Sequence, residues 1–176
     1  PSAGIEISND GTPRFPDAFV PSEELDLFLA RKTASSAMVE DLSMLPIPFA
    51  APATNLVTGK RVVMQKDCTL SQAMRASMSV PGAFSPAKRG DDLLVDGGLV
   101  DNLPVELARE MGADIVIAVN VGTPLSGREQ LNDVVGVMSQ MVNLLTEQNV
   151  TASLASLSDR DILIRPELKD YTSADL

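Results

Sequence analysis

Residues 114–122 read DIVIAVNVG, a nearly unbroken apolar run. A strand with one wet face alternates polar and apolar residues, so such a run suits a parallel strand covered by helices on both faces. Its flanks agree. On the N-terminal side, PVELAREM (104–111) opens on Pro104, which suits a first helical turn, and stops at Gly112, where a left-handed residue is expected. On the C-terminal side, residues 128–157 set Leu131, Val134, Val135, Met138, Met141, Val142 and Leu145 at helical spacing. One long helix is expected there, with a break near Asn149, and DILIRP (161–166) follows as a strand. No Lys or Arg occurs from 129 to 159, whereas a helix lying on a membrane carries a basic polar face. Core packing is therefore the expected role of that apolar stripe. The pattern is α/β.

The first half of the chain reads differently. Pro1, Pro13, Pro16 and Pro21, with Asn9-Asp10-Gly11 between them, predict loop or short edge structure over 1–22. Ser22 followed by Glu23 and Glu24 starts a helix through about Arg31, with Leu25, Phe28 and Leu29 turned inward. PIPFAAPATNL (46–56) is extended, Thr58-Gly59 turns the chain, and RVVMQ (61–65) returns as a second strand. Thr69 or Ser71 caps a short helix through SQAMRAS that ends before Pro81-Gly82, and a strand follows at 92–95.

That strand ends on a charge, in LLVDGGLVDNLP (93–104). Taken alone, Asp96-Gly97 is a favoured hairpin turn, because glycine accepts positive φ and aspartate tolerates it. The context is different here, since the loop leads into a helix rather than a partner strand. In open α/β sheets ligands bind beyond the carboxyl ends of strands, and the glycines beside Asp96 let a ligand or another backbone come close. Asp101 and Asn102 read as caps of the following helix.

Composition narrows the chemistry. The chain has no histidine and a single cysteine, so the usual zinc sets and an internal disulfide are out of reach. Cys68, beside Asp67, reads as a packed thiol. A net charge of -10 repels phosphate backbones and anionic lipid heads, which makes nucleic acid an unsuitable partner. No apolar run approaches the roughly 20 residues of a spanning helix, and Pro1 begins no charged-then-apolar leader.

Three segments together resemble the C-terminal half of a patatin-like phospholipase domain: ASMSVPGAFSP (76–86), LLVDGGLVDNLPVELAREMGAD (93–114) and IVIAVNVGTP (115–124). LPIPFAAPATNLVTGK (45–60) resembles that family's central strand and turn, so the likeness covers about residues 40–125. The remainder, through NLLTEQNV and DILIRPEL, is similar to bacterial patatins joined to an outer-membrane barrel. That likeness implies an outer-membrane or cell-surface location. The resemblance implies a three-layer α/β/α fold with a mostly parallel central sheet, its N-terminal part lying outside this chain. It divides the chain into the end of the domain (1–125) and a downstream helix and strand (126–176).

What the family implies chemically is hydrolysis of lipid acyl esters, without a cofactor or metal, by a serine and an aspartate. The serine of a Gly-x-Ser-x-Gly elbow attacks the acyl carbonyl, and the aspartate of Asp-Gly-Gly takes its proton. That aspartate maps onto Asp96, with Gly97 and Gly98 completing the motif. The absence of histidine fits, since a carboxylate is then the remaining base. The elbow itself does not occur: Ser77 is flanked at two residues by Arg75 and Ser79, and Ser79 by Ser77 and Pro81. Both serines therefore read as packing residues. A chain truncated on its N-terminal side is the expectation, with the missing part of the domain as a partner. Two other readings stay open: a divalent-ion module built from Asp91, Asp92, Asp96 and Asp101, and a patatin relative without its serine that serves as a binding scaffold.

Overall fold

The computed structural model describes residues 6–7, 13–14, 22–122 and 124–168. The chain forms two compact units, Pro1–Gly97 and Gly98–Leu176. Most of the breaker-rich segment 1–22 and the polar tail after 168 lie outside the described residues. Within 1–22, β1 (Glu6–Ile7) pairs antiparallel with β2 (Pro13–Arg14).

In the first unit, α1 (Ser22–Lys32) begins with Glu23 and Glu24 and ends with Arg31 and Lys32, each pair matched to its end of the helix dipole. Of its expected inward residues only Leu29 is buried; Phe28 is exposed, with the Lys32 ammonium 5.6 Å from its ring centre. The strands are β3 (Ala51–Asn55), β4 (Arg61–Met64), β5 (Ala87–Arg89) and β6 (Asp92–Asp96), and α2 (Leu70–Ser77) lies between β4 and β5 in sequence. Thr69 caps α2 in a reciprocal capping box with Gln72, which settles the choice between Thr69 and Ser71. The sheet order is β4-β3-β6-β5, and every pairing in it is antiparallel. Gly59, at φ +68°, closes the β3–β4 turn while the Asn55 side chain accepts from the N–H groups of Val57 and Thr58. β3 and β6 are the interior strands, and Ala53 on β3 joins Leu42, Met64, Ala73, Ala76 and Leu94 in the core.

The second unit contains α3 (Gly98–Asp101), α4 (Val105–Glu110), β7 (Ile117–Val119), α5 (Val134–Ala155) and β8 (Ile162–Ile164). Gly112 has the expected left-handed backbone, at φ +96°. β7 and β8 pair in parallel, with Ile117 opposite Ile162, and this is the one parallel pairing among the described strands. The expectation of a mostly parallel sheet thus does not describe these strands. Its physical root is the 114–122 run, which forms only three residues of strand and has one covered face: Ala118 is buried against Val116 and Val150, whereas Ile117 is 61% exposed. The long helix starts at Val134, capped by Asp133, and runs unbroken through Asn149. Of its expected core stripe, Val134, Met138, Met141 and Leu145 are exposed and Leu131 and Val142 half-buried; among the described residues, the buried one of the helix is Val150, outside that stripe.

Asp161 ties this unit together. Its carboxylate accepts from the Val116 N–H at 2.7 Å, from the Ser158 N–H at 2.7 Å and hydroxyl at 2.8 Å, and from Arg109 Nη2 at 2.6 Å. Arg109 Nη1 also donates to the Ala113 carbonyl. One side chain thereby joins the end of α4, the start of β7 and the turn before β8. The Val116 N–H first, then Ser158 and Arg109, holds the Asp161 carboxyl well below the usual carboxylate range. A depressed folded pKa stabilises the fold fully above the unfolded value, about 3.9, and that contribution is lost as pH falls from there through the folded value. Asp161→Asn should therefore lower the melting temperature clearly at pH 7 and progressively less as pH falls below about 4. Melting curves of the two proteins that stay equally far apart at every pH would contradict this.

Candidate active site

Asp96 is the last residue of β6, and its position is fixed by backbone contacts on both sides. Ala53 of β3 stands opposite it in register, and the Thr54 hydroxyl donates to the Asp96 carbonyl at 2.8 Å. β5 pairs with β6 only as far as Leu94, after which the chain leaving α2 takes over as partner. The Asp96 N–H donates to the Ser79 carbonyl at 3.0 Å, and the Gly97 N–H donates to the Ser77 carbonyl at 3.3 Å. A carboxylate at a strand end is thus seated by a neighbouring strand and a helix-end loop, and it is half-buried.

Gly97 is required for close approach rather than for turn geometry. A Cβ on it would fall 2.1 Å from the Pro52 carbonyl oxygen and 2.5 Å from the Pro52 carbonyl carbon, both backbone atoms of β3. Gly98 opens α3, and its carbonyl accepts from Asn149 Nδ2 at 2.8 Å. The Asn149 Oδ1 in turn accepts from the Asn102 N–H at 2.8 Å. Asn149, expected to break a helix, instead clamps the end of the Asp-Gly-Gly segment from α5. The boundary between the two units falls between the two glycines of that motif.

The serines serve the frame. Ser79 is fully buried, its hydroxyl donating to the Arg75 carbonyl at 2.6 Å, and a side chain so enclosed has no access to an ester. Asp101 and Asn102 do not cap the following helix: Asp101 is the buried last residue of α3, and Pro104 occupies the N-cap of α4 with no side-chain bond. Asp92 lies at the other end of β6, about 13 Å from Asp96 at the usual rise per strand residue. There its carboxylate accepts from Asn55 Nδ2 at 2.6 Å. Asp92 and Asp96 therefore cannot share one ion, and no group of three or more potential ligands gathers among the described residues.

A groove of about 890 Å³ runs elsewhere in the first unit, lined among others by Leu29, Ala30, Cys68, Arg75 and Leu94; Asp96 is not part of its wall. Burial pushes the Cys68 thiol up from its ordinary value, which disfavours the reactive thiolate. No helix of the described residues is long and apolar enough to cross a membrane.

Among proteins of known sequence, an uncharacterized NTE family protein of Mycobacterium tuberculosis is 40% identical over 86 residues, 49% of this chain and 24% of the relative. Patatin-like phospholipase domain-containing protein 7 of Mus musculus is 40% identical over 87 residues, 48% of this chain and 6% of that protein. The chain thus spans a quarter or less of these relatives' length. The family model described as patatin-like phospholipase matches residues 2–109, which include both the seat of Asp96 and the Asp-Gly-Gly motif. With more than half of its length matched by that model, and with a mixed α/β architecture, the chain belongs to the patatin-like phospholipase family.

Proposed function

We propose that this chain supplies the base of a lipid acyl hydrolase that works with a Ser-Asp dyad. The base is Asp96, with Gly97 and Gly98 shaping its approach, and the nucleophile sits in a Gly-x-Ser-x-Gly elbow upstream of Pro1. The observation that carries this reading is the seating of Asp96: a carboxylate at a strand end, its backbone held at N–H and C=O, beside a glycine pressed against the next strand. A weak base such as a carboxylate works only when it is held within hydrogen-bond reach of the hydroxyl it deprotonates.

In the cycle, the serine hydroxyl would attack the ester carbonyl as Asp96 accepts its proton. Asp96 would return that proton to the departing alcohol. Water, deprotonated by the same carboxylate, would then attack the acyl-serine, and the fatty acid would leave as Asp96 returns that proton to the serine oxygen. Phospholipid or other fatty-acyl esters are the substrate class. The elbow strand would sit in a three-layer α/β/α domain with a mostly parallel sheet, of which residues 1–125 form the end and 126–176 a downstream extension. Attachment to an outer-membrane barrel rests on the resemblance of residues 126–176 alone.

The 176-residue chain by itself should hydrolyse short-chain nitrophenyl esters no faster than a buffer blank, because it holds neither elbow nor glycine-rich oxyanion loop. The full-length protein should turn them over and be blocked by a fluorophosphonate. Turnover by the short chain that the same probe abolishes would place a nucleophile within it and end this assignment. A scaffold without its serine predicts instead that the codons before Pro1 encode no Gly-x-Ser-x-Gly after an apolar strand.

A further inference from the structure

Ser79 is enclosed completely, and its hydroxyl is bonded at both ends to one residue: it donates to the Arg75 carbonyl at 2.6 Å and accepts from Arg75 Nη1. The same guanidinium reaches across the loop that follows α2, where Nη2 donates to the Ser85 carbonyl at 2.9 Å. Its Nε lies 3.0 Å from Asp26 Oδ1 of α1. Arg75 is itself only 8% exposed. Burying a guanidinium is costly unless its donors are used, and here they fix both the start and the end of one loop. The Ser79 carbonyl at the start of that loop receives the N–H of Asp96, and the Ser77 carbonyl, at the end of α2 just before it, receives that of Gly97.

We propose that Arg75 is a positioning residue for Asp96, acting through Ser79. Its guanidinium sets the path of the chain at 79–85, the path sets the Ser79 carbonyl, and that carbonyl sets the last peptide of β6. The kinetic consequence rests on Asp96 being the base; the structural consequence does not. A small drift of the carboxylate is enough to matter, since misplacing a reacting group by about 1 Å costs on the order of 10²-fold in rate.

The test uses the full-length protein with Arg75→Met, Arg75→Lys, Ser79→Ala and, for comparison, Asp96→Asn. Hydrogen exchange is followed at the Asp96 and Gly97 amides, and kcat and KM are measured on a soluble ester. Arg75→Met should speed exchange at those two amides, with β3 and β4 unchanged, and should lower kcat roughly 10- to 100-fold at constant KM. Arg75→Lys should recover part of both, because an ammonium can reach one acceptor but lacks the fork that spans Ser79 and Ser85. Ser79→Ala should act in the same direction more weakly, and it carries the test if Arg75→Met does not fold. Unchanged exchange at Asp96 and Gly97 in these variants would overturn the proposal, as would a uniform rise across the whole sheet, which marks a global loss of stability. Faster local exchange together with full turnover by Asp96→Asn would leave the seat standing and remove the dyad.

Discussion

Asp96→Asn in the full-length protein should lower turnover of a fatty-acyl ester by roughly 10² to 10⁴, the usual contribution of a general base, or more. The amide keeps the shape of the side chain but cannot take a proton from serine. Folding should change little, because the substitution leaves in place the backbone bonds at the N–H and C=O of residue 96. The pair of outcomes is diagnostic: activity lost, melting temperature kept. An ion site would respond differently, since a chelator would then mimic the substitution, and the 92-to-96 geometry predicts that a chelator does nothing. Asp101→Ala should show the opposite pattern, a lower melting temperature with most of the turnover per folded molecule retained, because Asp101 is a buried residue at the end of α3. Full activity in Asp96→Asn would end the assignment of the base.

Gly97→Ala should be among the most damaging single-methyl changes available to this chain. The added carbon would sit at 2.1 Å from a carbonyl oxygen of β3, and Pro52 has no freedom to retreat, because β3 is paired with β4 on one side and β6 on the other. Overpacking against side chains costs about 1–3 kcal/mol, and against a central-strand backbone the upper end or beyond applies. Set against a total stability of about 5–15 kcal/mol, that is a large share. Gly59→Ala is the useful comparison: it meets no atom within 4 Å but must hold φ +68°, so its cost is the left-handed strain of about 1–2 kcal/mol. Urea unfolding of the three proteins separates steric from torsional loss. Equal midpoints for Gly97→Ala and wild type would mean that the strand pair can open there, and that the seat of Asp96 is soft.

The local signals in the sequence were read well where one residue decides one geometry. Thr58-Gly59 announces a turn and Gly112 a helix end, and each stands where expected, while the cap of α2, open between Thr69 and Ser71, falls on Thr69. Asp96 was legible as a charge at the end of an apolar strand. What supports it was not, because, besides the Thr54 hydroxyl, these supports are backbone atoms: the carbonyls of Pro52, Ser77 and Ser79 carry no residue-type signature. Asn149 was misread for a related reason, as local propensity marks asparagine for a helix break while its partners, Gly98 and Asn102, lie some fifty positions away. The apolar run at 114–122 states that two faces can be covered, and only the face with Ala118 is covered among the described residues. Helix periodicity over 128–157 likewise found the helix but not which of its apolar side chains pack.

The hydrogen bonds on the Asp96 N–H and C=O pin its backbone to two separate segments, the chain leaving α2 and the strand β3. If Asp96 is the base, it is delivered to its partner by a paired strand and not by loop motion. The distance between that carboxylate and a serine hydroxyl would then be set by the pairing of the sheet, and the search that precedes proton transfer would not be spread over a flexible backbone.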